Sequence, residues 1–496
     1  MNGRAMSKKS IILLIGLFIL SAAQVKAQSA DDVLRYTLEY PSYDPVSLVM
    51  PGVSNATGFG AYQENPASMA LFDESFLSMG LSSRFLDETG TYLGNSTNYS
   101  DNQTGIGDLG LVYKVPTTRG SLVVGGGYSQ TTDFNRALSA SGRNERSTIT
   151  DFYNTTADDS LFFAAFDAYA VDFATTDSSF AETSSIFRIG FPQYPGINQD
   201  MELTERGKTG EYSLFLATEF LENFYVGGSI GYYSGTYTYR REFLETDRQD
   251  DYNATFIDSD GDGNPDTDID NILSEDRIDA EIQAFSARLG IIYEPTSEFR
   301  LAASYEFPSK LFIDEEFNTK ITTTFDNTIQ FSDEAPGAFS YTISRPQRIK
   351  AGITFSGIPK LTLTGSAEAI SYSDAEISFD ELNLNPLENE INGNVRSAFN
   401  DVINLRGGLE YKANDTFTSR LGYAYFPSPQ DSPGSDRQFI SGGFSAELTK
   451  GLLFDFGIQY SFWDDQNALY STPDVTEVVQ EEVTRLNVMA GLRMIL

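Results

Sequence analysis

The chain has 496 residues, 40% of them hydrophobic and 13% aromatic, with 41 glycines, no cysteine and no histidine. Those two absences exclude a thiolate nucleophile, a zinc site of soft or imidazole ligands, a haem held through His or Cys, and a Ser-His-Asp triad. The 70 acidic against 34 basic residues, a formal net charge of -36, would repel a nucleic-acid backbone, so nucleic acid is not expected as a partner.

Residues 1–27 read as a signal peptide. Arg4, Lys8 and Lys9 supply a positive start, Ile11 to Ala23 an apolar stretch, and Val25-Lys26-Ala27 a small-residue end. The apolar stretch is too short to cross a bilayer as a helix. No cysteine follows it to carry a lipid anchor. An exported chain without disulfides fits a bacterial outer-membrane protein better than a small secreted domain.

Residues 28–74 do not alternate. Pro41, Pro45, Pro51 and Pro66 with Gly52, Gly58 and Gly60 make a composition of turns. A periplasmic tail and a plug folded into a lumen both remain open at this point.

From residue 75 to 496 the period is two. It is clearest over 452–463, where Leu452, Phe454, Phe456, Ile458, Tyr460 and Phe462 oppose Asp455, Gly457, Gln459 and Ser461. The pattern predicts strands at 75–86, 106–115, 120–132, 210–220, 223–240, 281–294, 298–308, 347–355, 360–373, 402–412, 416–426, 438–448, 452–463 and 485–496. Turns of a few residues, such as Pro116 to Arg119 and Leu221-Glu222, alternate with much longer links. That sorting predicts an all-β fold, a transmembrane antiparallel β-barrel of about 14 strands with short periplasmic turns and long outer loops. Greek-key sandwiches do not sort their loops in this way. The last strand keeps the lipid-facing phase to Leu496, where barrels often end on an aromatic residue.

Three local features are candidates for function. In the link 133–209, residues 161–166 and 168–171 are apolar, and Phe162, Phe163 and Phe166 are either a first capture site for a greasy ligand or loop packing. Asp258, Asp260, Asp262, Asn264 and Asp266, with Gly263, follow the Asp-x-Asp-x-Asp-Gly spacing of a calcium loop. Ile269 stands where the bidentate Glu is usual, and residues 241–280 hold 14 acidic against 3 basic residues, so a solvated acidic loop is the other reading. On the water-facing phase, Arg288, Arg300, Arg348, Lys350, Arg406, Arg420 and Arg493 accompany Glu306, Glu368, Glu410, Glu447 and Asp455. These charges are expected to pair with each other or with a plug, or to hold a ligand carboxylate.

Asn65-Pro66-Ala67, followed by Ser68-Met69-Ala70-Leu71-Phe72-Asp73 into the first strand, resembles the Asn-Pro-Ala signature of the FadL-type outer-membrane transporters. Arg406-Gly407-Gly408-Leu409-Glu410-Tyr411 and Arg420-Leu421-Gly422-Tyr423 add weaker likeness, and Ser68 stands where many members carry glycine. With residues 1–27 read as a signal peptide and 75–496 as a barrel, the resemblance implies that residues 28–74 form a hatch that occludes the lumen. It also implies an exit through the wall that the third strand often supplies. Gly125, Gly126 and Gly127 in that strand are compatible with a kink, since glycine weakens a strand interior, and equally with the general frequency of glycine here. The expected function is passive outer-membrane transport of hydrophobic compounds, fatty acids or hydrocarbons, with outer-membrane lipid as surroundings and no catalysis. No cofactor is required on this reading, and calcium in the outer loop is a candidate. A general porin and a structural or adhesive outer-membrane protein are the alternatives.

Overall fold

The computed structural model of the protein describes residues 30–40, 44–174, 182–191, 193–253, 266–379, 384–430 and 434–496. The expected signal peptide, residues 1–27, lies outside the described residues, as do Asp258, Asp260, Asp262 and Asn264.

The alternating segments form fourteen barrel strands. They are β1 (Phe76–Tyr92), β2 (Asn95–Val115), β3 (Leu122–Asp133), β4 (Ile197–Leu221), β5 (Phe224–Thr246), β6 (Ile269–Thr296), β7 (Phe299–Glu306), β8 (Arg348–Ile358), β9 (Leu361–Ser371), β10 (Asp401–Asn414), β11 (Phe417–Phe426), β12 (Arg437–Thr449), β13 (Leu452–Ser471) and β14 (Thr476–Ile495). Each pairs antiparallel with the next. The closing pair is β14 with β1, from Phe76 opposite Ile495 upward, so the sheet has no open edge at its base.

The pleat decides which way each side chain faces. Leu77, Met79 and Leu81 of β1, Leu214 and Leu216 of β4, Phe285, Leu289 and Ile291 of β6, and Ile403 and Leu405 of β10 stand on the outside. Phe285 leaves 68% of its surface open, which is favourable against lipid and costly against water. Their neighbours Ser286, Arg288, Asn404, Asp455, Gln459 and Ser461 turn inward and are buried. Along these stretches the wall is apolar outside and polar inside.

Several strands run beyond the segments that alternation reveals. β1 and β2 continue to Tyr92 and Asn95 and are joined by Leu93-Gly94, with φ of 49° and 84°, the two positive angles of a tight hairpin turn. β13 and β14 likewise rise to Ser471 and Thr476. Above the lipid-facing residues the outer face turns polar while the inner face still meets buried groups, so the apolar period fades although the backbone ladder continues. β7 and β8 are carried upward by Ser309–Phe325 and Gln330–Arg345. At the same end α3 (Ile149–Thr155) and α4 (Asp159–Asp167) pack on the strand tops, where Ile149 and Tyr153 join one apolar cluster with Tyr92, Phe243, Leu469 and Val479. This cap spans the outer mouth.

The N-terminal segment lies inside the barrel. α1 (Ala30–Thr37) sits high in the lumen, and residues 44–71, with α2 (Ala61–Glu64), fill the waist and are almost wholly buried.

Candidate functional site

The waist is built around inward-facing glycines that leave room for the N-terminal segment. A β-carbon on Gly290 would overlap the Asn65 side-chain oxygen, and one on Gly227 would overlap the Pro66 carbonyl. One on Gly110 or Gly127 would overlap the Phe59 ring, and one on Gly422 the Val49 carbonyl. The wall also satisfies backbone carbonyls of the segment. Arg348 donates to Thr37 at 2.8 Å, Arg406 to Ser47 at 2.9 Å, Gln459 to Leu48 at 3.2 Å and Lys350 to Gln63 at 3.3 Å.

Asn65, Pro66 and Ala67 come together at one corner of this plug. Asn65 caps a 3-10 turn over Pro66–Leu71, where proline's missing N–H costs nothing at the first helical position. Its side-chain oxygen accepts from the Ala67 N–H at 2.9 Å. Its amide nitrogen donates to the Val53 carbonyl at 2.7 Å and to the Ile291 carbonyl of β6 at 3.2 Å. One side chain therefore ties the turn to the plug and the plug to the wall. Asp44 does similar work within the plug, accepting from Val46 and Ser47 N–H groups at 2.8 and 3.0 Å and from Gly60 N–H at 2.7 Å.

The lumen charges pair as expected. Arg288 holds Glu211 at 2.8 Å and Glu306 at 3.2 Å, Arg420 holds Glu410 at 2.7 Å, and Arg493 holds Asp455 at 3.2 Å. The plug supplies further partners that sequence spacing could not reveal. Glu39 meets Arg345 and Arg348, and Glu64 meets Arg406. Two arginines differ. Arg437 lies over the rings of Tyr40 at 4.8 Å and Trp463 at 4.4 Å, and Arg485 lies over Trp463 at 5.4 Å. Neither faces a carboxylate at ion-pair distance among the described residues. Arg437 and Trp463 line a chamber with Leu38, Phe426, Glu39, Asp464 and Asp465.

Above the plug, α1 presents Val33 and Tyr36 to an apolar region of the wall. Tyr36 packs edge-on against Phe134 and Tyr237 at 5.7 Å each, and Phe134 meets Tyr237 at 5.5 Å. Arg35 lies over Tyr237 at 5.0 Å. The region is continued by Ile282, Ile313 and Tyr341 and by Leu387, Ile391 and Val395 of α5 (Asn385–Ala398), three residues one turn apart on a single helix face.

Phe134 marks a break in the barrel wall. β3 pairs with β2 from Leu122 opposite Val115 to Ser129 opposite Asp108, and no further. The register with β4 shifts between Gln130 and Thr132, after which Phe134 turns into the lumen with only 7% of its surface exposed. The chain then resumes as Arg136–Asn144, paired with β4. The Asn135 N–H donates to Asp133 Oδ1 at 3.0 Å, an Asx turn that redirects the chain. The break is not at Gly125-Gly126-Gly127, through which both registers run unbroken. Those glycines are required by space: a β-carbon on Gly125 would overlap Phe215, one on Gly126 Leu214 and the Ser213 carbonyl, and one on Gly127 Phe59.

A family model described as outer membrane protein transport protein (OMPP1/FadL/TodX) matches residues 217–492, more than half of the chain. The chain belongs to this family. The toluene transporter TodX of P. putida shares the fold at 13% identity and a TM-score of 0.53, over 92% of this chain and 99% of that one. A FadL homologue of Pseudomonas aeruginosa does so at 12% identity and a TM-score of 0.54, with the same coverage. No curated protein matches. The protein is thus a fourteen-stranded, multi-pass barrel of the bacterial outer membrane.

Two further expectations for this family member concern its outer end. Phe162 and Phe166 of α4 stack at 6.3 Å and are half-buried, while Phe163 is exposed. Ala164 and Ala165 face the cap interior, and Tyr169 packs on Phe331 at 4.6 Å, so the stretch joins cap packing to one open ring. Of the candidate calcium ligands only Asp266 is described, and no cluster of metal-ligating side chains occurs among the described residues. The cap itself is fastened by Glu245 at the top of β5. Its carboxylate accepts from the Ile149 N–H at 2.9 Å, from Gln199 at 2.6 Å and from the Thr148 hydroxyl. Nothing in the local sequence marks Glu245, because its partners lie at the start of α3 and on β4.

Proposed function

We propose that the protein is a passive channel for hydrophobic compounds, with long-chain fatty acids as its principal cargo. Residues 28–74 act as a hatch, and cargo leaves sideways where β3 departs from β2. Phe134 carries the reading: the residue that marks the wall break is the one that packs on Tyr36 of the N-terminal helix. A change in α1 on ligand binding therefore bears directly on the wall.

The chemistry of the lumen favours a cargo with an acidic head. Toluene, the cargo named for TodX, has no group for a guanidinium. Arg437 lines a mixed polar and apolar chamber and Arg485 lies on the far side of Trp463, and neither has a carboxylate at ion-pair distance among the described residues, so a carboxylate head would accept charge-assisted hydrogen bonds there in competition with the chamber's Asp464 and Asp465. Direction then comes from differential affinity and concentration. An open porin fits less well, because the plug fills the waist.

Mass spectrometry of lipid extracted from the purified protein tests the reading. Bound fatty acid is expected; protein free of bound lipid, in cells that also gain no oleate uptake, favours a structural or adhesive role instead. Calcium at Asp258 to Asp266 is proposed on spacing alone. Added calcium should raise the thermal midpoint of the wild type and leave Asp260→Ala with Asp262→Ala unchanged, and an equal response removes the site.

A further inference from the structure

We propose that the Asp101–Arg206 ion pair is a removable bar across the wall break and controls the rate at which cargo leaves. The inference rests on the sideways exit proposed above. β2 continues from Asp108 up to Asn95 with β1 on one side, but its ladder with β3 has already ended. Over that rise the second edge of β2 has no strand paired to it among the described residues. Because the chain after Asp133 has turned inward, its continuation Arg136–Asn144, paired with β4, lies against the upper part of β2, and Arg206 and Lys208 of β4 reach across the stretch below it.

The closure there is made by side chains. Arg206 Nε donates to Asp101 Oδ2 at 2.9 Å and Arg206 Nη2 to Asp101 Oδ1 at 3.0 Å, a bidentate contact. The Lys208 ammonium lies against Gly105, where a β-carbon would stand 2.9 Å from Nζ. Higher up, Asn95 donates to the Ser141 carbonyl at 3.2 Å, and Thr97 donates to the Ser139 carbonyl. Below, the wall is sealed again by the β2–β3 ladder at Asp108. The stretch between is therefore the one part of this seam where an ion pair stands in for a backbone ladder.

Such a pair suits a gate. The Arg206 side chain is 61% exposed and that of Asp101 14%, so water competes for the guanidinium and opening costs less than stripping a run of strand hydrogen bonds. Arg206 is also placed by the break itself. Its neighbour Gly207 has φ of 135°, and the Gly207 carbonyl accepts from the Phe134 N–H at 3.1 Å. Movement of Phe134 with α1 would thus reach Arg206 through one residue.

The chain has no cysteine, so a pair of thiols can be placed without background. Asp101→Cys with Arg206→Cys is joined by a short reducible thiol cross-linker, and uptake of labelled oleate is followed. Cross-linking should lower uptake to the level of cells lacking the protein while oleate binding to purified protein is retained, and reduction should restore uptake. Arg206→Gln alone should take up oleate about two- to fivefold faster than wild type, the factor corresponding to an exposed pair, and should lose the wild type's acceleration by salt. Cross-linked protein that transports at the reduced rate, or Arg206→Gln that keeps the wild-type rate and salt response, overturns the bar. A wild type that takes up nothing overturns the transport reading, and the bar with it.

Discussion

A methyl group at Gly290 would compete for the place of the Asn65 amide oxygen, and Asn65 is the side chain that fastens the hatch to β6. Gly290→Val should therefore unseat that corner of the plug at a cost of about 1–3 kcal/mol. Planar-bilayer recordings should show higher ion conductance than wild type, and unchanged conductance would mean that the waist is not sealed there. The paired lumen charges were readable as positions but not as pairs, because Glu39 and Glu64 lie in the N-terminal segment, hundreds of residues from Arg345, Arg348 and Arg406. Arg437 and Arg485 give a second test at this scale. Arg437→Gln with Arg485→Gln should weaken oleate uptake and spare toluene; equal loss of both would remove the carboxylate role.

At the scale of elements, strands within the lipid band were legible because lipid on one face and a polar lumen on the other force alternation. The upper halves of β1, β2, β13 and β14 were not, since Asn95 to Gly105 is polar on both faces. The glycines of β3 pointed to a kink for a sound general reason, but here they make room for Phe59 and Phe215. The real break was written in Asp133-Phe134-Asn135, a turn signal around an aromatic residue. The cap is the element with a pH dependence. Burial pushes Glu245 up to about 7, more than its hydrogen bonds to Thr148, Gln199 and Ile149 can offset. A carboxyl raised in the folded state binds its proton more tightly than in the unfolded chain. Its contribution is full below about 4.5 and is lost as pH rises through about 7. Amide protection in α3, taken relative to the intrinsic exchange rate at each pH, should therefore be greater at pH 5 than at pH 8, and Glu245→Gln should flatten that difference. A wild-type cap with the same protection at both values would contradict the assignment.

For the whole molecule, the acidic surplus and the modest apolar fraction describe an object turned inside out. The outer face of its wall is greasy and meets lipid, its buried charges are largely paired in the lumen beside the apolar clusters of hatch and cap, and its strands rise above the membrane as polar ribbons. The membrane-spanning architecture follows from that one-sided solvation and was legible throughout. The inner path was less so, because it depends on how α1, Phe134 and the hatch meet in space. The central claim is that hydrophobic cargo crosses a barrel closed to ions. It is tested most directly by measuring labelled oleate uptake in cells with and without the protein, alongside the conductance of the same protein in a planar bilayer. Uptake that depends on the protein, with conductance far below that of an open porin, is the expected result. Open-pore conductance without oleate uptake would contradict it.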